Sequence, residues 1–313
     1  MESELKTNRS ILLPISAMLL FWAFTPISIA WIKDDFSLIF QVWLRYLSAA
    51  LMLWPILLTK KSFSKDFQSF TRKRFYFLLR ISVIALCTLM FQILYTWCFF
   101  LISPGFGILL YQSQVIFSVL LGIVYLKSER DLIRQPGTVA GIMIALVGAC
   151  LAIIFQSRGF SVELNRGILL ALTGALFWAL VGLELKIWIE GRLTPLFTVT
   201  MVFSLVSICL LPSVFLSSQN ISGDPHILKW IVLVVSGLLG IGGGQALFYY
   251  LLPQLGIITT SSTQLLVPFL TGVFSFLLFD EKITLLQLIG GILLLGGCQT
   301  VLQQKRKFLT RNS

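Results

Sequence analysis

The chain contains about ten runs of roughly 20 apolar residues, each long enough to cross the hydrocarbon core of a bilayer. In lipid every backbone N–H and C=O must be satisfied within the chain, so only α-helices and closed β-barrels span. These runs are apolar on every face and about twice as long as barrel strands, which alternate over ~10 residues. The expected fold is an all-α polytopic membrane protein. Composition agrees: 57% of the 313 residues are hydrophobic and 12% charged, with a mean hydropathy of +0.91. A soluble domain would carry about 25% charged residues, so a large soluble protein is excluded.

The spans read 11–32, 36–58, two within 91–130, then 137–155, 167–189, 194–216, 227–252, 257–279 and 283–302. Spans three and four are parted by Ser103–Pro104–Gly105. Lys6 and Arg9 ahead of span one raise a signal peptide, but the run is about 22 residues long and lacks an A-x-A-like site, which favours a retained helix. All five cysteines (Cys87, Cys98, Cys150, Cys209, Cys298) lie inside apolar runs, where a thiol behaves as a small apolar residue.

Loop charge orients the chain. With the N-terminus in the cytoplasm, inner segments hold about fifteen Lys and Arg and outer segments about five, a strong positive-inside bias. Both termini are then cytoplasmic, and the net charge of +11 reflects orientation rather than nucleic-acid binding.

The chain also repeats itself. FQILYTWCFFLISPGFGILLYQSQVIFSVLLGIVYLKSER, Phe91 to Arg130, is answered by GQALFYYLLPQLGIITTSSTQLLVPFLTGVFSFLLFDEK. Gln92 aligns with Gln245, and Gln112 with Gln264 after one residue of slippage. Glu129–Arg130 then meets Glu281–Lys282. Phe21–Trp22–Ala23 matches Phe177–Trp178–Ala179, and Gly148 with Cys150 matches Gly296 with Cys298. The expected organisation is a five-helix repeat over 1–155, a polar connecting loop at 156–166, a second five-helix repeat over 167–303 and a basic cytoplasmic tail at 304–313. Five spans per half force the second half to enter the membrane from the opposite side. The result is ten transmembrane helices as two inverted repeats, a signature of secondary transporters whose site lies near the midplane between the halves.

On these residues the sequence resembles the drug/metabolite transporter superfamily, in its ten-helix EamA-type branch. The likeness is carried by Phe21–Trp22–Ala23 and its repeat, Arg45–Tyr46, the glutamine-bearing helices, the acidic ends Glu129 and Asp280–Glu281, and the glycine-rich spans five and ten. It covers nearly the whole chain. What the resemblance implies is a basket of helices around a central cavity and a carrier of amino acids, other metabolites or drugs.

Candidate binding residues follow from what hydrocarbon tolerates. Buried amides need partners, so Gln92, Gln112, Gln245 and Gln264 face a wet cavity or join helices. Thr88, Gln92, Tyr95 and Phe99 share one helical face, as do Gln245, Phe248, Tyr249 and Leu252. Trp22 and Trp178 lie mid-span, where they wall an apolar pocket or fill volume. Arg45, a third of the way down span two, either binds a carboxylate or pairs with helix-end carbonyls. Glu184 and Lys186 sit near the cytoplasmic end of span six and are expected to snorkel. The substrate-binding set is thus Trp22, Arg45, Gln92, Tyr95, Gln112, Trp178, Gln245, Tyr249 and Gln264.

Glycines 237–244 lack the following Lys and Ser/Thr of a phosphate loop and lie inside a span. No metal-ligand cluster, catalytic triad or cofactor motif is present in the sequence, so neither enzyme activity nor a cofactor is expected. The leading expectation is a secondary transporter for an amino acid or related metabolite, in the inner (plasma) membrane if the source is bacterial. Multidrug efflux and uptake of a nucleotide-like metabolite are the alternatives within that class, and a non-transporting receptor or assembly subunit is the alternative outside it. Partners are the solute, the bilayer and a coupling proton or exchange solute.

Overall fold

The computed structural model describes residues 2–126, 131, 134–155, 161–189, 191–217, 220–248, 250–251, 263–281 and 284–312. They form helices α1 (Glu2–Trp31), α2 (Leu38–Leu58), α3 (Phe63–Arg72), α4 (Arg74–Leu101), α5 (Pro104–Tyr111), α6 (Gln114–Tyr125), α7 (Pro136–Ile154), α8 (Val162–Glu184), α9 (Pro195–Leu216), α10 (Ile227–Val235), α11 (Val267–Phe279) and α12 (Leu285–Asn312). Two π-helical stretches, Leu185–Ile189 and Ser236–Gly243, continue α8 and α10.

Among the described residues nine helical segments are long and apolar enough to cross a membrane, with α5 and α6 counted as one. The chain is an integral, multi-pass membrane protein. Nine of the ten expected spans have such a segment. The remaining one, 257–279, is described from Thr263 onward and includes the shorter apolar helix Val267–Phe279. Of the expected connecting loop at 156–166, residues 156–160 lie outside the described residues, as do Glu129–Arg130 and Lys282, while Ser161 caps α8 and Val162 to Arg166 form its first turn. Through the basic segment that begins at residue 304, α12 runs on to Asn312. Nor is span four continuous: it breaks between Tyr111 and Gln114, where the amide of Gln112 turns back to Leu109 O (3.1 Å). A matching turn, Leu266 N to Thr263 O (3.0 Å), precedes α11.

Helix starts follow local chemistry. Pro104, Pro136 and Pro195 open α5, α7 and α9, where a missing N–H costs nothing. Ser37 and Thr194 cap α2 and α9, accepting from Phe40 N (3.3 Å) and Phe197 N (3.4 Å). Each cap is held from the other half of the chain. Ser37 donates its hydroxyl to Asn220 Oδ1 (3.3 Å), and Thr194 donates its own to Asp66 Oδ2 (2.5 Å).

The most intimate contact is between α7 and α12, where small residues let the backbones touch. A Cβ on Gly148 would lie 2.6 Å from Gly290 O, and one on Gly290 would lie 2.8 Å from Gly148 O. Gly141 and Gly297 face each other in the same reciprocal way, at 3.0 and 2.5 Å. Gly296, expected as the mate of Gly148, has nothing within 4 Å. The glycines that meet across the contact are Gly148 with Gly290 and Gly141 with Gly297. Elsewhere α4 packs on α8, α2 on α9 and on the π stretch of α10, and α1 on α11.

Candidate functional site

These pairings leave a cavity of about 100 Å³, smaller than the usual small-molecule site. Its floor and walls come from α1, α2, α4, α5, α8, α9, the π stretch of α10 and the first residues of α6 and α11. Around it the structure brings together Trp22, Gln92, Tyr95, Gln112, Trp178, Gln245 and Gln264, seven of the nine residues singled out in the sequence. Tyr249 lies outside the described residues. Arg45 does not itself line the cavity; it sits fully buried next to Tyr46, which does.

The break in span four explains how one amide gets there. Gln112 falls at the turn between α5 and α6, and its Nε2 donates to the main-chain carbonyl of Gln264 (3.4 Å). Gln112 Oε1 is buried without a hydrogen-bond partner among the described residues. On α4, Gln92 Nε2 donates to Thr96 Oγ1 (3.2 Å), while Gln92 Oε1 accepts the Tyr46 hydroxyl (3.3 Å). Gln92 is thereby oriented by both neighbours and presents a fixed amide to the cavity wall.

Aromatic rings make the rest of the wall. Phe91 lies 4.9 Å from Trp178 and 5.6 Å from Tyr111 between centroids, and Tyr95 meets Tyr111 edge-on at 5.2 Å. Tyr46 meets Phe203 edge-on at 5.0 Å, and Trp22 meets Phe248 at 5.8 Å. Flat apolar faces with a few fixed amides and hydroxyls suit a small solute that has both an apolar body and hydrogen-bonding groups.

Sequence reading missed Thr25, Tyr46, Phe91, Gln114 and Phe203 as lining residues. Phe91 was within reach, since it stands four residues before Tyr95 on the same helical face. Tyr46 and Phe203 carried no such signal, because their direction depends on how α2 crosses α9. Glu184 also departs from expectation. Rather than snorkelling, it accepts from the Cys87 thiol (3.3 Å), and its Oε2 is buried without a hydrogen-bond partner among the described residues.

A second crevice lies between α5, α11 and α12, with Glu281 at its end. Glu281 ties the start of α5 to α11: it accepts from Ser103 Oγ (2.5 Å), from Gly105 N (3.1 Å) and from the Ser275 hydroxyl. Most of this crevice is apolar and faces outward through Val273, Phe276 and Leu277, so it reads as a lipid-facing seam.

Bundle and cavity together define the class: a helical membrane protein built around an amide- and aromatic-lined cavity. Residues 165–303 match the model of the EamA-like transporter family. A Haemophilus influenzae protein described as an uncharacterized transporter is 26% identical over 192 residues, 61% of this chain. The match spans 63% of that relative's length. These two findings support a likeness to the drug/metabolite transporter superfamily, the family model matching the second half of the chain. A solved crystal structure, described only as that of a protein, has a TM-score of 0.61 and 15% identity over 96% of this chain and 99% of its own. That likeness concerns the fold alone.

Proposed function

We propose that the chain is a secondary transporter that moves a small organic solute, an amino acid or related metabolite, by alternating access. The observation that carries this reading is the meeting of Gln92, Gln112, Gln245 and Gln264 around one cavity between the two halves. Amides can donate and accept at once, which suits a polar or zwitterionic solute, and the surrounding rings suit its apolar part. Two five-helix repeats of opposite topology would rock about this chamber. The reciprocal contacts of Gly148 with Gly290 and Gly141 with Gly297 support such a two-fold relation, as do the cross-held caps at Ser37 and Thr194. Multidrug efflux is the second reading, favoured by the number of rings in the wall.

The test is uptake of labelled amino acids, nucleotides and drugs into proteoliposomes, with and without a proton gradient. Saturable uptake that falls on Gln92→Ala and on Gln245→Ala is expected. Absence of flux for every compound, from folded protein, would turn the reading toward a receptor or assembly subunit.

A further inference from the structure

The ends of α4 and α8 that loop charge assigns to the cytoplasm gather two guanidiniums and two rings. Arg80 Cζ lies 4.2 Å from the Trp188 ring centroid and 5.4 Å from that of Tyr76. Arg192 Cζ lies 5.7 Å from the same Tyr76 ring, and its Nη1 donates to the Tyr76 hydroxyl and to Trp188 O (2.8 Å). Trp188 belongs to the π stretch Leu185–Ile189, which continues α8. A guanidinium stacked on a ring uses its face and keeps its in-plane N–H donors for oxygen. Among the described residues Arg80 Nε is buried with no hydrogen-bond partner, and no carboxylate forms an ion pair with either arginine. Asp66, the acid that α3 brings to this end, is taken by Thr194.

We propose that this cluster binds the phosphate of an anionic phospholipid from the cytoplasmic leaflet. The proposal does not depend on which solute the cavity takes. Tyr76 and Trp188 are the ring types that sit at headgroup level, and Arg80 lies about 9 Å along the axis from Arg74, where α4 begins. Beside them in sequence, Phe75, Leu78 and Leu79 on α4 and Ile187 on the π stretch are exposed apolar side chains, which in a chain that spans a bilayer meet acyl chains. Two like charges gathered on one ring in that setting repel and lack a counter-ion. A phosphate diester supplies one: a single negative charge on two equivalent oxygens, matched by the planar donor forks of arginine. The cytoplasmic leaflet is where anionic lipids concentrate and where basic sites between helices take their headgroups. A lipid held here bridges α4 to α8, the two helices that bring Phe91 and Trp178 together in the cavity wall at 4.9 Å, so its binding is read in the stability of the bundle.

The test is thermal unfolding of the full chain in dodecyl maltoside, titrated with dioleoylphosphatidylglycerol, with dioleoylphosphatidylcholine and with glycerol 3-phosphate. Phosphatidylglycerol is expected to raise the melting temperature saturably, because a ligand of the folded state alone stabilises it by mass action. Phosphatidylcholine, whose phosphate is balanced by its own choline, should give a much smaller shift. Glycerol 3-phosphate, which has no acyl chains, should give none at the same concentration. Arg80→Gln and Arg192→Gln should each raise the half-saturating lipid concentration by about tenfold, and Arg192→Lys by less. Lys61→Gln, which removes an exposed charge between α2 and α3, should leave it unchanged. Equal shifts with the two lipids would overturn the proposal, as would an unchanged titration in the Arg80→Gln, Arg192→Gln double variant or an equal loss in Lys61→Gln. A shift with glycerol 3-phosphate equal to that with the lipid would assign the cluster to soluble phosphate and end the lipid reading. Glu190, the acid nearest Arg192 in sequence, lies outside the described residues. Glu190→Gln should leave the titration unchanged, and a gain in affinity of about tenfold would make that carboxylate the arginines' partner and refute the proposal. Should Arg80→Gln fail to fold, Arg192→Gln, whose side chain is exposed, decides.

Discussion

Gln112 donates from its Nε2 to the main-chain carbonyl of Gln264 at 3.4 Å, so two glutamines 152 positions apart meet at the edge of one cavity. Each stands at a short turn that interrupts an apolar span. A helix break inside a membrane frees backbone groups, and it is tolerated where they are buried in protein or line a wet chamber. The cavity and the two breaks are therefore one structural fact, and the amides are where they are because the helices stop there.

Removing the Tyr46 hydroxyl by Tyr46→Phe should release Gln92 Oε1 from its partner on α2. Stability in detergent is expected to fall by about 1 kcal/mol, the net worth of one hydrogen bond. Transport should fall less than in Gln92→Ala, which removes the amide itself. Equal flux in wild type and Gln92→Ala would remove the amide from the binding site.

The α7–α12 seam discriminates between glycines that look alike in sequence. Gly148→Val places side-chain atoms where Leu294 N lies 2.3 Å from an ideal Cβ, and it should cost at least about 3 kcal/mol or abolish accumulation of folded protein. Gly296→Ala meets open space, and the gain in helix propensity should raise stability by up to about 1 kcal/mol. Thermal unfolding of the two variants measures both, and similar losses in each would refute the register described.

Asp66 holds the start of α9 through Thr194, by backbone N–H (3.1 Å) and hydroxyl. Thr194→Ala should cost about 1 kcal/mol, typical of a lost N-cap. A double-mutant cycle with Asp66→Ala should show coupling, because each side chain's contribution runs through the other. Additive losses would mean that Asp66 acts elsewhere.

Orientation can be read by labelling single cysteines with a membrane-impermeant maleimide, after the five native cysteines are replaced by alanine. Lys61→Cys, beyond α2, should react only from the cytoplasmic side. Ser222→Cys, between α9 and α10, should react only from outside. Both labelled from one side would end the opposite-topology reading of the two halves.

How much of this was legible beforehand follows from the range of each interaction. The α-helical spans and the membrane setting are local consequences of apolar runs whose backbone must satisfy itself, so Leu38–Leu58 or Pro195–Leu216 could be read almost residue by residue. Proline and hydroxyl caps are local too, and Pro104, Pro136 and Pro195 stand where sequence alone puts helix starts. The spacing of Gln92 from Gln245, and of Gln112 from Gln264, was visible because the two stretches align in order along the sequence.

What tertiary structure decided is everything that depends on how helices cross. Arg45 had two readings in the sequence, and the packing of Gly237 onto its backbone left it buried and unpartnered among the described residues. Glu184 meets Cys87 because α8 lies along α4, a contact between residues 97 apart that no periodicity announces. The seam brings Gly148 onto Gly290 and leaves Gly296 facing open space, because depth of contact between two helices is set by crossing geometry. Sequence by itself determined the elements and their membrane setting, since those forces act within a few residues. The cavity and the burial of Arg45 belong to the tertiary fold, since both arise from side chains that meet only once the helices have packed.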